Sequence, residues 1–306
     1  MRSSSASAVS VAVESSLATL IADYKEILKP GITAFVVVMA AAGYIVALQG
    51  PIDWVALLGL MAGTGLTGGA AGALNHVIER RHDSQMARTR SRPVASGRIG
   101  VAQAVFYAGL LTAGGSAVLA VTTNLLTTGL ALLTIALYVG VYTPLKRVTV
   151  HNTLVGAVPG ALPALGGAAA ATGALDATGW SLFAILYLWQ LPHFYALAWM
   201  YRQDYLEGGF RMLPSGPRGE RTAATLVLGA TLTLLVAGMM PSALGQAGWL
   251  FMAGMGLLGT AFTIPAFSFY AEPTDERARR LLLASIAYVP AFFVLAVLDF
   301  LIRAGG

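Results

Sequence analysis

Nine runs of about twenty mostly apolar residues make up most of this chain, and each is long enough to cross a bilayer as a helix. They lie at approximately 31–49, 53–74, 101–121, 125–143, 152–172, 180–199, 222–241, 246–270 and 280–302. A membrane barrel would show segments of roughly ten residues with alternating polarity, whereas these runs are continuous. Of the 306 residues, 57% are hydrophobic and 11% charged. Soluble domains carry about 25% charged residues, so this chain has too little polar surface to fold in water. The expected fold class is all-α, a polytopic membrane bundle. Residues 1–30 read as an N-terminal leader, disordered or amphipathic, without the pattern of a signal peptide. Residues 31–303 read as a single transmembrane domain. The absence of cysteine excludes disulfides, cysteine-ligated metals and thiol nucleophiles.

Lysine and arginine set the orientation. With the N-terminus on one side, that side holds the leader and the loops after the second, fourth, sixth and eighth helices. It then carries 18 of the 19 basic residues, and the other side carries only Arg303. The positive-inside rule makes the rich side cytoplasmic. The net charge of +5 is thereby explained by the membrane, and no nucleic-acid partner is expected. The longest loops lie on the same side, after helices two and six, where a functional site is expected.

The loop after helix two begins "NHVIERRHDSQMARTRSRP" (75–93). Asn75, Glu79 and Asp83 stand at i, i+4 and i+8, on one face of a continuing helix. Two carboxylates and an amide suit a hard divalent cation, and Mg²⁺ takes such a partial set together with water and ligand phosphate. Arg88, Arg90 and Arg92 follow with spacing two, fit for charge-assisted bonds to phosphate oxygens. Acids for a metal beside arginines for phosphate are the parts of a diphosphate site. A plain salt-bridged loop is the competing reading.

A second polar patch, "LWQLPHFYALAWMYRQDYLEGGFRMLP", follows helix six. Its Asp204 and Glu207 share a helical face, and Asp204 falls 129 residues after Asn75, four helices later on the same side. That is where a parallel repeat of helices 1–4 in 5–8 would put it. A third element, "YTPLKRVTVHN", places Tyr142 and Lys146 at the end of helix four, with Lys146 as a point charge for phosphate or as a membrane anchor. Pro159 and Pro163 are expected to interrupt helix five beside a cavity or to serve helix packing. His193 is an ionisable group at membrane depth, available to ligate a haem iron, to orient a substrate, or to bond a backbone carbonyl. His76, His82 and His151 are expected to be solvated near the interface.

Together these segments resemble the UbiA superfamily of intramembrane prenyltransferases, and within it the branch that farnesylates haem. The resemblance rests on "LKPGITAFVV", on N-x-x-x-E-x-x-x-D-x-x-M-x-R-T-x-x-R-P from Asn75 to Pro93, on "YTPLKR" with "HNTLVGAVPGALPALGG", and on "PHFYALAWMYRQDYLEGGFRMLP". It implies nine helices around a central cavity open to the cytoplasm. It implies that Asn75, Glu79 and Asp83 match the first diphosphate–Mg²⁺ motif and Asp204 the second, holding one or two ions. Arg88, Arg92, Lys146, Tyr142 and Arg202 are then expected on the diphosphate, and His193, Tyr201 and Glu207 against haem or the prenyl chain. Many superfamily members carry D-x-x-x-D in the second motif, whereas positions 200 and 208 are here Met and Gly. The implied reaction joins a farnesyl group from farnesyl diphosphate to a vinyl of haem B, which is a substrate and not a prosthetic group. The implied setting is the cytoplasmic (inner) membrane, with a haem A synthase or terminal oxidase assembly factors as further partners. The alternatives are the same chemistry on 4-hydroxybenzoate, a naphthoate or a chlorophyllide, and, more remotely, an ion-coupled transporter.

Overall fold

The computed structural model describes residues 17–214 and 216–305, and the first part of the expected leader, residues 1–16, lies outside them. The described residues form helices and turns with no strand. Helix α1 (17–27) is followed by α2 (Pro30–Ala47), α3 (Trp54–Asp83), α4 (Val101–Thr122), α5 (Leu125–Leu145) and α6 (Asn152–Thr172). Then come α7 (Ala177–Met200), short α8 (Arg202–Glu207), α9 (Gly216–Ala237), short α10 (Met240–Ala243), α11 (Trp249–Ala271) and α12 (Asp275–Gly305). Nine of these, among the described residues, are long and apolar enough to span a bilayer. The protein is a multi-pass membrane protein.

The helices close a ring. α3 lies along α4, α2 along α6, and α6 along α7, while α12 packs on α7, α11 and α2. The outer faces carry exposed Phe106, Val121, Leu257 and Ile264, as a lipid-facing surface requires. The four long helices that run toward the basic loops start on side-chain caps. Asp53 accepts from the amides of Val55 and Ala56, Asn124 from Thr127, Asp176 from Gly179, and Asp299 from Gly248 and Phe251. Each cap satisfies amides that no intrahelical carbonyl can reach.

α3 continues without a break to Asp83, as the Asn75–Glu79–Asp83 stripe needs, more than two turns past its apolar run. Two expectations change. Pro159 and Pro163 do not interrupt α6, which is one helix from Asn152 to Thr172. Both prolines are buried within it, and it packs along α2 and α7. The second part of the leader is helical and docked. Tyr24 meets Tyr107 edge-on, Ile27 is buried against Ala70 and Ala73, and buried Asp23 pairs with Arg98.

Close backbone approach holds α2 against α6. A Cβ on Gly167 would lie 1.9 Å from the carbonyl oxygen of Ala40, and one on Gly43 would lie 2.2 Å from that of Ala164. Small residues serve this purpose in membranes, where apolar burial gives helices no preference for one another over lipid. Gly167→Leu is therefore expected to destabilise the bundle by about 1–3 kcal/mol, read as a lower unfolding midpoint in detergent. Gly109→Leu, at a position with no neighbour within 4 Å, should leave that midpoint unchanged.

Candidate active site

The end of α3 carries the expected stripe. Asn75 and Asp83 are fully buried and Glu79 is 5% exposed. Buried carboxylates persist only when paired, and each polar group here has a cation from a different segment. Lys146, at the end of α5, donates to Glu79 Oε1 at 2.8 Å. Arg92 Nη1 donates to both oxygens of Asp83 at 2.8 and 2.9 Å. Lys29, just before α2, donates to Asn75 Oδ1, and the Asn75 amide donates to Thr143 Oγ1 at 3.0 Å.

The second patch joins through Arg88. Its Nε lies 3.5 Å from Asp204 Oδ2, and its guanidinium lies over the ring of Tyr201, 4.9 Å from the centroid. Four cations, Lys29, Arg88, Arg92 and Lys146, thus face three carboxylates, Glu79, Asp83 and Asp204. Burial would pull Lys146 down, but Glu79 and Tyr142 outweigh it and hold its ammonium well above the ordinary lysine value. Lys29 is pulled below that value by burial, with Glu79 offsetting only part of the effect.

Tyr142 is placed by an irregularity. Residues Ala136–Tyr142 of α5 form a π-helical stretch, a widened turn that recurs at functional sites. Lys146 lies 4.6 Å from the Tyr142 ring centroid. The ring rests against Gly156 of α6, where an added Cβ would come within 2.4 Å of it.

The other expected residues separate. Arg202 does not join the cluster. It pairs with Asp275 at 2.9 Å, the same carboxylate that accepts from Trp199 Nε1. Glu207 is exposed and, among the described residues, accepts from Gln203. Arg90 is also exposed. His76 is 2% exposed, not solvated. His82 is bonded on both nitrogens, Nδ1 to the Gly208 carbonyl at 2.9 Å and Nε2 to Arg147 at 3.1 Å. His151 is exposed as expected. Sequence reasoning missed Lys29 and Thr143 as members of the cluster, although "LKPG" and "YTP" contain them.

The departure at position 208 has a packing cause. A Cβ on Gly208 would lie 2.7 Å from Met86 Sδ. Met86 is 2% exposed and packs with Ala198, Phe210 and Met212. A thioether from the first loop fills the space that a carboxylate at 208 would need.

One helical turn along α3 from Asn75, at Ala71, an apolar cavity begins. It is small, about 40 Å³, and is lined by Ala71, Gly68, Thr67, Thr64 and Leu60 of α3 with Val36, Leu130, Thr134, Leu162 and Pro163. Ala71 lies one helical turn from Asn75 on the same face, and Leu60 is 1% exposed. Polar cluster and apolar cavity therefore share one wall.

The donor set fits Mg²⁺ in part. Two carboxylates and an amide at helical spacing leave coordination positions for water and phosphate. No group of three or more His, Asp or Glu residues fit to hold a metal is present among the described residues. Lys146→Met is expected to strand the Glu79 carboxylate and destabilise the protein by about 3–5 kcal/mol. Adding Glu79→Gln should recover most of that loss, as measured by unfolding in chelator-containing buffer.

Comparison with known proteins identifies the family. The model of the UbiA prenyltransferase family matches residues 36–295. A protoheme IX farnesyltransferase of Salinibacter ruber is 44% identical over 278 residues, covering 90% of this chain and 98% of the relative. A mitochondrial protoheme IX farnesyltransferase of Arabidopsis thaliana is 40% identical over 271 residues, covering 88% of this chain and 63% of the relative. Among solved structures, a UbiA homologue from Archaeoglobus fulgidus bound to DMAPP and Mg²⁺ superposes with a TM-score of 0.69 at 14% identity, covering 90% of this chain and 99% of that one. A digeranylgeranylglyceryl phosphate synthase superposes with a TM-score of 0.74 at 16% identity, covering 92% and 98%. The chain belongs to the UbiA prenyltransferase family.

Proposed function

We propose that this protein transfers a farnesyl group from farnesyl diphosphate to a vinyl group of haem B, giving haem O with its hydroxyethylfarnesyl side chain and releasing diphosphate. The observation that carries the reading is the cluster itself: four cations and three carboxylates at the head of an apolar cavity. The protoheme IX farnesyltransferase relatives support haem as the acceptor. The excess of basic residues on the loops of this face supports a cytoplasmic opening in the inner membrane.

The chain's own groups divide the work. Asn75, Glu79, Asp83 and Asp204 would hold Mg²⁺, which when bound supplies positive charge that favours departure of the diphosphate. Lys29, Arg88, Arg92 and Lys146 then exchange their carboxylate partners for phosphate oxygens, which accept charge-assisted bonds equally well. With one divalent ion the cluster's charge balances the about three negative charges of an ionised diphosphate. Tyr142 and Tyr201 keep Lys146 and Arg88 aimed by contact with their rings. The apolar walls of the cavity would part to take the prenyl chain and hold it away from water, so that breaking the C1–O bond leaves an allylic cation for the vinyl group to attack. The vinyl π electrons form the new carbon–carbon bond. Water adds to the resulting cation beside the porphyrin and loses a proton, leaving the hydroxyl. A haem A synthase or terminal oxidase assembly factor would receive the product.

Asp83→Asn is expected to lower kcat by at least about a hundredfold in purified protein at saturating Mg²⁺, with haem products identified by mass spectrometry. Retention of most transfer activity would remove that carboxylate from the mechanism, and products lacking a farnesylated haem would show that the acceptor is another molecule.

The cavity also sets chain length in this reading. Leu60 lies eleven residues from Ala71, about 16 Å down the helix, and lines the same cavity. Leu60→Ala is expected to raise the rate with geranylgeranyl diphosphate relative to farnesyl diphosphate in direct competition. An unchanged ratio would place the chain elsewhere.

A further inference from the structure

His193 lies seven residues before the end of α7, about 10 Å below the polar rim, among apolar helices. Its ring continues a stack. Phe35 of α2 lies 5.0 Å from Trp189 at an interplanar angle of 25°, and Trp189 lies 5.2 Å from His193 at 27°. Two bonds from α12 lock this wall. Trp189 Nε1 donates to the Ser285 carbonyl at 2.9 Å, and His193 Nδ1 lies 2.8 Å from Ser285 Oγ.

The serine decides the tautomer. Ser285 has one hydroxyl proton, and its Oγ lies 2.6 Å from the Leu282 carbonyl oxygen. Two oxygens that close need the proton between them, so Ser285 donates to Leu282. Its oxygen must then accept from His193, which places the imidazole proton on Nδ1. A second proton on Nε2 would make an unpaired cation among apolar side chains, at high cost. Nε2 therefore presents a lone pair. It has no hydrogen-bond partner among the described residues, and, unlike Nδ1 of buried His76, it is not sealed from open space. An imidazole oriented through Nδ1–H to an oxygen, with Nε2 free, is the usual state of a metal-ligating histidine. In this tautomer Nε2 cannot donate to a carboxylate, which excludes a role in binding a propionate.

We infer that His193 Nε2 is the axial ligand of the substrate's haem iron, and that Ser285 is the positioning residue that fixes its tautomer. The inference rests on haem being the acceptor. Ligation there lays the macrocycle at the Phe35–Trp189 wall below the polar cluster and fixes its position relative to the prenyl cavity.

The test uses full-length protein in detergent with haem B. The reduced wild-type complex should show an iron–imidazole stretching band in its resonance Raman spectrum. His193→Gly should lose the band, raise the haem KM at least about tenfold, and regain both with added imidazole, while binding farnesyl diphosphate as before. Persistence of the band and of the haem KM in His193→Gly overturns the assignment. Should that variant fail to fold, Ser285→Ala carries the test, because freeing Nδ1 must shift the band; an unshifted band overturns the proposal equally. Wild-type protein that makes no farnesylated haem would instead refute the proposed function, so the two failures read differently.

Discussion

A buried carboxylate must be paired, and that requirement organises the face of this protein where chemistry is expected. α3 carries Asn75, Glu79 and Asp83 into the interior beneath the basic loops, where they are buried and water cannot stabilise them. Their partners arrive from before α2, from the loop after α3 and from the end of α5. The pairing therefore fixes where three separate chain segments sit. Arg88 extends it to Asp204 and so to the end of α7. The polar cluster is held by cations, and in the proposed function a substrate phosphate would take them over from the carboxylates.

Helix direction reinforces the arrangement. α3, α5 and α7 all end at the cluster, so the negative ends of their dipoles converge there and favour cations. Their far ends begin on Asp53, Asn124 and Asp176, which suit the positive ends. Close contacts between α2 and α6 bring the walls near enough for the cavity to remain narrow. Gly156, in the same small-residue helix, gives the Tyr142 ring a seat. Packing and electrostatics are thus set by the same few positions.

Much of this was legible in the sequence because its physical signals are long or periodic. A run of twenty apolar residues has one use in a bilayer, and the spacing of Asn75, Glu79 and Asp83 survives folding because a helix preserves it. Other features depended on partners distant in sequence. Arg202 carries the same charge as Arg88 and follows Tyr201 directly, but Asp275 and Trp199 hold it elsewhere. The π-helical stretch before Tyr142 has no sequence pattern that marks it. Lys29 adopts a left-handed backbone conformation, φ 51°, rare for a residue with a side chain, and only the turn between α1 and α2 makes that conformation useful. Pro159 and Pro163 were read as breaks because each removes a backbone donor. Packing against α2 and α7 accompanies an α6 that stays continuous through both.

The second acidic motif shows how a missing residue can be part of the design. Gly at 208 looks, in sequence, like the loss of a metal ligand. In space the position touches Met86, which comes from the first motif's own loop. The Met86 thioether and the Gly208 hydrogen stand where a carboxylate would otherwise need room and a cation. His82 then bonds the Gly208 carbonyl, and Met86 packs beside it against Phe210 and Met212. The two loops are joined here by packing and one hydrogen bond, and on the other side of the mouth by Arg88 and Asp204. A second fully liganded ion would need charge at the joint where this chain has placed a hydrophobic contact. The chain's layout thus favours a lopsided clamp, with the carboxylates concentrated on α3 and the opposing motif reduced to Asp204.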